Sequence, residues 1–149
     1  MSTLDQLTSD LTTAMKARDT LRVSTLRQLI AAVRFEAKAG SVEKELSDDE
    51  VLKVLAREVK KRRDSAQIYT DAGAPERAAT ENAEADVIET YLPAQLSDDE
   101  LQALVTAVIA DVGATSLRDM GAVMKEATAR AGASADGKKL SASVRAALS

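Results

Sequence analysis

Apolar residues recur every three or four positions along most of the chain, the period of an amphipathic helix rather than the alternation of a strand. The first such stretch, with Ser2 as its N-cap, runs to about Lys16 on Leu4, Leu7, Leu11 and Met15. Asp19 or Thr20 caps a second, about 20–38, whose stripe is Val23, Leu26, Leu29, Ile30, Val33 and Ala37. Arg27 and Arg34 sit together beside that stripe, and Gly40 offers a C′ residue. A polar loop separates this helix from a long third one, about 48–71, buried along Val51, Leu55, Val59, Ala66 and Tyr69, with Leu52 and Val54 at the edges. Arg62 falls in the middle of that apolar stripe. Either its stem packs there while the head reaches water, or the guanidinium meets a carboxylate from the next helix, Glu84 or Asp86. Pro75 at N1 opens a fourth, alanine-rich helix, about 75–92, ending in Val87, Ile88, Tyr91 and Leu92.

Pro93 then biases Leu92 out of the helical region and stops the rhythm. It restarts after Ser97 and Glu100, a capping box; the same Leu-Ser-Asp-Asp-Glu string at 46–50 opens the third helix. The segment 89–100 thus reads as a hinge between helical units. Beyond it, Leu101, Leu104, Val105, Val108, Ile109 and Val112 stripe a helix over about 98–112, ended by Gly113. Ser116 caps another, about 117–131, with Leu117, Met120, Val123, Met124 and Ala127 inward; Gly121 inside it suggests close approach of a neighbouring helix, and Gly132 stops it. A last helix, about 137–148, turns Leu140, Val144 and Leu148 inward. The expected fold is all-α: a bundle of about four helices over 1–92 and a three-helix domain over 93–149.

Composition sharpens this picture. Hydrophobic residues make up 45% of the chain but aromatics only 2%, so aliphatic side chains must build the core, which suits packed helices. With no Cys and no His, disulfides, thiol nucleophiles, imidazole bases and the commonest metal ligands are absent. The first residues, Met1 to Asp5, lack a basic stretch followed by an apolar one, and no apolar run is long enough to span a bilayer. These features lead to the expectation of a cytoplasmic protein that does not enter membranes.

Chemistry-bearing patterns are few. The carboxylate pairs Asp48/Asp49 and Asp98/Asp99 stand at helix starts, where they complement the helix dipole, and there is no glycine-rich phosphate loop. No cofactor or metal site and no catalytic residue is expected. Cations are more suggestive. Arg118 and Lys125 are seven residues apart, as are Lys138 and Arg145, and Lys139 adds a charge where the last helix begins. Lys53, Arg57, Lys60 and Lys61 form a second strip on the long helix, diluted by Asp64. Phe35, Tyr69 and Tyr91 are scattered, the two tyrosines as packing anchors, so no platform for base stacking is expected. Nucleic-acid binding through these cations would address backbone and shape, as in a structured RNA, with no DNA partner expected.

Three groups of residues carry a resemblance to a known family. They are Tyr91-Leu92-Pro93-Ala94-Gln95-Leu96-Ser97, then Asp119-Met120-Gly121-Ala122-Val123-Met124, then Ala135-Asp136-Gly137-Lys138. With Arg22-Val23-Ser24-Thr25-Leu26-Arg27 and the basic run from Glu58 to Arg63, they resemble the YqeY family over nearly the whole chain. The resemblance implies an N-terminal helical domain and a C-terminal domain similar to the tail of the B subunit of tRNA-dependent amidotransferases, which contacts tRNA while other domains perform the chemistry. It therefore implies a non-catalytic accessory that contacts tRNA, or a protein of an amidotransferase or aminoacylation assembly. Two alternatives remain open: a protein-interaction module without RNA binding, and a glutamine-dependent carbon–nitrogen ligase.

Overall fold

Helix starts in this chain are written in capping chemistry, and the computed structural model, which describes residues 1–149, follows it closely. Ser2 caps α1 (Thr3–Ala17) with Asp5 reaching back, a capping box. Asp19 caps α2 (Thr20–Ala37) by accepting from the Arg22 N–H at 3.1 Å. Ser47 and Glu50 box the start of α3 (Asp48–Asp71), and Pro75 stands at N1 of α4 (Pro75–Glu89). Ser97 and Glu100 repeat the box at α5 (Asp98–Val112). A 3-10 turn, Leu117–Asp119, leads into α6 (Met120–Ala131), and Asp136 caps α7 (Gly137–Leu148). The fold is all-α, with seven α-helices and no strand.

The chain divides into two compact units, Met1–Leu92 and Pro93–Ser149. In the first, Leu7 and Ala14 of α1, Leu26, Leu29, Ile30 and Val33 of α2, Val51, Val54 and Leu55 of α3 and Ile88 of α4 form one buried cluster. Tyr91 and Leu92 pack against it, after α4 has ended at Glu89 rather than running to Leu92. The Tyr91 hydroxyl donates to the Asp10 carboxylate on α1. Burial, reinforced by that anion, pushes the phenol well above its ordinary range. Tyr91 is thus an anchor of the N-terminal unit.

In the second unit, Leu101, Val105 and Val108 of α5 meet Val123 and Ala127 of α6 and Leu140, Val144 and Leu148 of α7. The segment after Pro93 is fixed to this unit: the Leu96 N–H donates to the Ser134 carbonyl at 2.8 Å, and Gln95 donates to that of Ala133 at 2.9 Å. Gly113 takes the left-handed conformation (φ 74°) that closes α5.

Several details depart from the periodic reading. Met15 and Leu117, expected inward, are each 49% exposed, and Val112 is 39% exposed. Each lies within the last turn of a helix or in the 3-10 turn, where core-facing geometry fades. Val54, placed at an edge, is buried, and so is Thr25. Gly40 is not a C′ residue, because α2 stops at Ala37 with Lys38 as its C-cap. Gly121 does not mark a close helix approach: a Cβ there would meet nothing within 4 Å.

Arg62 resolves in favour of pairing. Only 5% exposed, it extends all three guanidinium nitrogens to partners on three helices. Nε donates to Glu84 on α4 at 3.0 Å, and Nη1 to the Glu58 carboxylate on α3 at 3.3 Å and its carbonyl at 3.2 Å. Nη2 donates to Gln28 Oε1 on α2 at 2.5 Å. Asp86, the other candidate, is taken by Arg63 at 2.8 Å, beside Glu89 at 3.1 Å.

Removing the Arg62 guanidinium would leave two largely buried carboxylates without their cation. Arg62→Ala is therefore expected to lower stability by roughly 3–5 kcal/mol in denaturant unfolding, whereas Arg63→Ala, acting on a more exposed pair, should cost under about 1 kcal/mol. Equal effects would mean that the buried network does not hold α2, α3 and α4 together. Gly121→Ala, with open space to receive the methyl, should raise stability by about 0.4–1 kcal/mol in the same assay.

Candidate functional site

The cations singled out in the sequence divide by what surrounds them. In the C-terminal unit, Arg118, Lys125, Lys138, Lys139 and Arg145 are all exposed. None enters an ion pair; in that unit Arg130 alone is paired, to Asp111 at 2.7 Å and Glu126 at 2.9 Å. Lys138 and Arg145 lie on α7 at the seven-residue spacing that brings side chains to one face. Arg118 stands in the 3-10 turn before α6, so the α-helical spacing that aligned it with Lys125 is interrupted. The α7 N-terminus is partly used already, since Asp136 accepts the Lys139 N–H at 3.4 Å.

The strip on α3 is less available. Arg57 pairs with Glu36 of α2 at 3.1 Å, and Lys60 with Asp64 at 3.2 Å. Lys53 and Lys61 are exposed with no acid in contact. Two of the four charges are thus neutralised by neighbours that periodicity alone places only in part: Asp64 was visible as an i,i+4 partner, but Glu36 lies on another helix.

Among the acids at helix starts, Asp5, Glu50, Glu100 and Asp119 reach back to cap, while Asp49, Asp98 and Asp99 only add negative charge to the first turn. Hydrogen bonding to Ser97 holds Glu100 below the ordinary carboxylate range, and Lys44 together with the Ser47 N–H does the same for Glu50. Asp119 is lowered by accepting from the Thr115 and Ser116 N–H groups, and Asp5 by its bonds to Ser2. Asp48 accepts the Thr3 N–H at 2.9 Å, joining the start of α1 to the start of α3. The chemistry of these groups is satisfied by the fold.

Sequence reasoning passed over one feature. An open groove of about 480 Å³ runs along the start of α2, lined by Arg18, Thr20, Val23, Ser24, Arg27 and Gln28. Arg18 adopts the left-handed conformation, at φ 56°, the one residue other than glycine to do so. The signal available in sequence was the Arg27/Arg34 spacing.

The family described as Yqey-like protein matches residues 4–148. The chain belongs to the YqeY family. Among its relatives is the "Altered inheritance of mitochondria protein 41, mitochondrial" of Clavispora lusitaniae, 27% identical over 126 residues, which cover 83% of this chain and 72% of that protein. The protein of the same name from Meyerozyma guilliermondii is 34% identical over 91 residues, 61% of this chain and 47% of that relative, so the match spans about half of its length. These names give neither a ligand nor a reaction. They do overturn the expectation of a cytoplasmic YqeY protein, because both relatives are named as mitochondrial. The absence of a signal-like stretch at Met1–Asp5 was too weak a basis for that expectation. No single helix is long and apolar enough to cross a membrane.

The capping acids contribute to the acid limb of stability. Their folded pKa values lie below the ordinary values of 4.5 for Glu50 and Glu100 and 3.8 for Asp5 and Asp119. Their contribution is therefore complete above those values and lost as pH falls through the depressed folded ones. Thermal unfolding followed by circular dichroism should show a midpoint insensitive to these groups above about pH 5 and falling below about pH 4. Glu50→Gln with Glu100→Gln should flatten that acid limb. A limb unchanged by the two substitutions would remove the caps as its cause.

Proposed function

We propose that this YqeY protein is an accessory that contacts structured RNA, tRNA first among candidates, through the cations of its C-terminal unit. The observation that carries the reading is the availability of those cations: Arg118, Lys125, Lys138, Lys139 and Arg145 are exposed and unpaired. In the N-terminal unit Lys44, Arg57, Lys60, Arg62 and Arg63 are drawn into pairs with acids, while others, Arg27, Arg34, Lys53 and Lys61 among them, are unpaired as well, so the C-terminal unit stands out in that Arg130 is its one paired cation. A cation without a carboxylate partner keeps its full attraction for phosphate and releases a counterion when it binds. The sequence resemblance, which implies a C-terminal domain similar to the amidotransferase tail, supports the same reading. Binding of this kind is modest and strongly dependent on salt, which suits a helper within a larger assembly.

A fluorescence titration of unfractionated tRNA with the full chain tests this. Three or four phosphate contacts should weaken binding about 100-fold between about 50 and 200 mM salt. Lys125→Glu with Lys138→Glu should weaken it about tenfold or more at the lower salt, with helicity retained. Absence of binding at low salt, or binding indifferent to both salt and the two substitutions, would overturn the reading. Glutamine-dependent ammonia release above a denatured control would instead point to an enzyme.

A further inference from the structure

We propose that the outer face of α2 is an RNA-binding surface of the N-terminal unit, with Arg27, Arg34 and Lys38 on phosphates and Phe35 beneath an unstacked base. Thr20, Ser24, Arg27, Gln28, Ala31, Arg34, Phe35 and Lys38 are all exposed. At 100° per residue they occupy one continuous face of about 120°, opposite the buried Leu26, Leu29 and Val33. Helix α2 itself places no acid on that face, and Phe35 at its edge borders a second groove in which Glu36, Arg57 and Glu58 lie together. Asp19 is occupied in capping α2, and Glu36 points to Arg57. Arg18, Arg27, Arg34 and Lys38 enter no ion pair, while those of the unit are made by Lys44, Arg57, Lys60, Arg62 and Arg63.

Phe35 distinguishes the ligand. It is the only phenylalanine in the chain, and it is 76% exposed on the same face as three cations. Interleaving of an exposed aromatic ring with cations favours a ligand with both phosphates and flat faces. Arginines supply two of the three charges, and a guanidinium meets phosphate in bidentate geometry. Arg27 and Arg34 are separated by about 10.5 Å along the axis, and Lys38 extends the row by about 6 Å, a length that follows several nucleotides of a single strand or loop. The groove beginning at Arg18 continues the track past the helix start. Gln28 ties the face to the core: its Nε2 donates to Ser24 at 3.2 Å while its Oε1 accepts from buried Arg62. The proposal departs at Phe35 from the expectation that no aromatic platform exists, and leaves that expectation in place for Tyr91.

The proposal rests on the reading that the protein binds RNA, but it concerns a different helix, in a different unit, and a single-stranded element. The test is anisotropy of a short unstructured RNA, and of a duplex of equal length, with the full chain over a salt series. Arg27→Glu with Arg34→Glu should weaken binding of the single strand about tenfold or more at about 50 mM salt and reduce the log–log salt slope by about 1.4. Arg27→Gln with Arg34→Gln should act in the same direction, and Phe35→Ala should weaken the single strand at least about fivefold and the duplex little. All these side chains are exposed, and circular dichroism of each variant should match the parent. Unchanged affinity and slope in both arginine variants would overturn the proposal, leaving a solvated helix face. Displacement of RNA by polyglutamate at equal charge concentration would overturn it in favour of an acidic protein partner. If the parent binds no RNA at low salt, this proposal and the C-terminal reading fall together. If only the Lys125/Lys138 variant loses binding, this one falls alone, and if only the α2 variants do, the C-terminal reading falls alone.

Discussion

A guanidinium placed in an aliphatic core is the constraint around which the N-terminal unit is built. Arg62 sits where the helical period of α3 calls for an apolar side chain, and it is 5% exposed. Desolvating that charge is costly, and the attraction to Glu58 and Glu84 compensates only because all three nitrogens find acceptors. The geometry that satisfies them is restrictive. Gln28 on α2 and Glu84 on α4 must arrive at fixed heights along α3, so a slip of one turn in either helix would orphan a buried charge. Leucines tolerate such slips far better, because dispersion contacts are non-directional. The network therefore sets register in a unit whose α4 surface is rich in alanine and poor in distinctive shapes. Arg63 repeats the device at the rim, where Asn82, Asp86 and Glu89 hold it in partial contact with water.

The parts of this architecture that periodicity and capping chemistry encode were legible. Ser47–Glu50 and Ser97–Glu100 mark helix starts because the residues that satisfy orphan N–H groups are few and their spacing is rigid. Arg62 was conspicuous because a charge in an apolar stripe demands a partner, and Glu84 was within the small set that could reach it. Less legible were positions where a helix ends. Tyr91 and Leu92 fit the stripe of α4 by spacing, yet the helix closes at Glu89 and the pair reaches the core from the following turn. Met15 fits the α1 stripe in the same way and is exposed in its last turn. Gly121 misled for another reason: a glycine in a helix signals either a close neighbour or nothing, and the empty space around it is a tertiary fact.

Cationic surfaces were the hardest to read, because a charge is available only by default, when no acid elsewhere in the fold claims it. The α3 strip looked continuous along one helix, but Glu36 comes across from α2 to Arg57. By the same logic the outer face of α2 is left clear: Asp19 and Glu36 are turned to a cap and to that pair, and Arg27 and Arg34 stand free beside Phe35. Local spacing counts charges correctly and cannot count their partners.

That asymmetry has a physical origin in side-chain reach. A long, flexible arginine on α3 meets whichever carboxylate the packing brings within about 4 Å, and an exposed pair of this kind gains at most about 1 kcal/mol. Such pairs are too weak to direct the fold; they follow from it. The buried cluster of α1 to α4 and the Arg62 network fix the helices first, and the surface charges then pair or remain single according to where that packing leaves them. In the C-terminal unit the apolar stripes of α5, α6 and α7 set the packing in the same way, and it puts Asp111 and Glu126 beside Arg130 and no paired acid beside Lys125, Lys138 or Arg145. The distribution of unclaimed cations is thus a consequence of core packing, and a substitution that shifts a helix by a turn would redraw the electrostatic surface without touching a single charged residue.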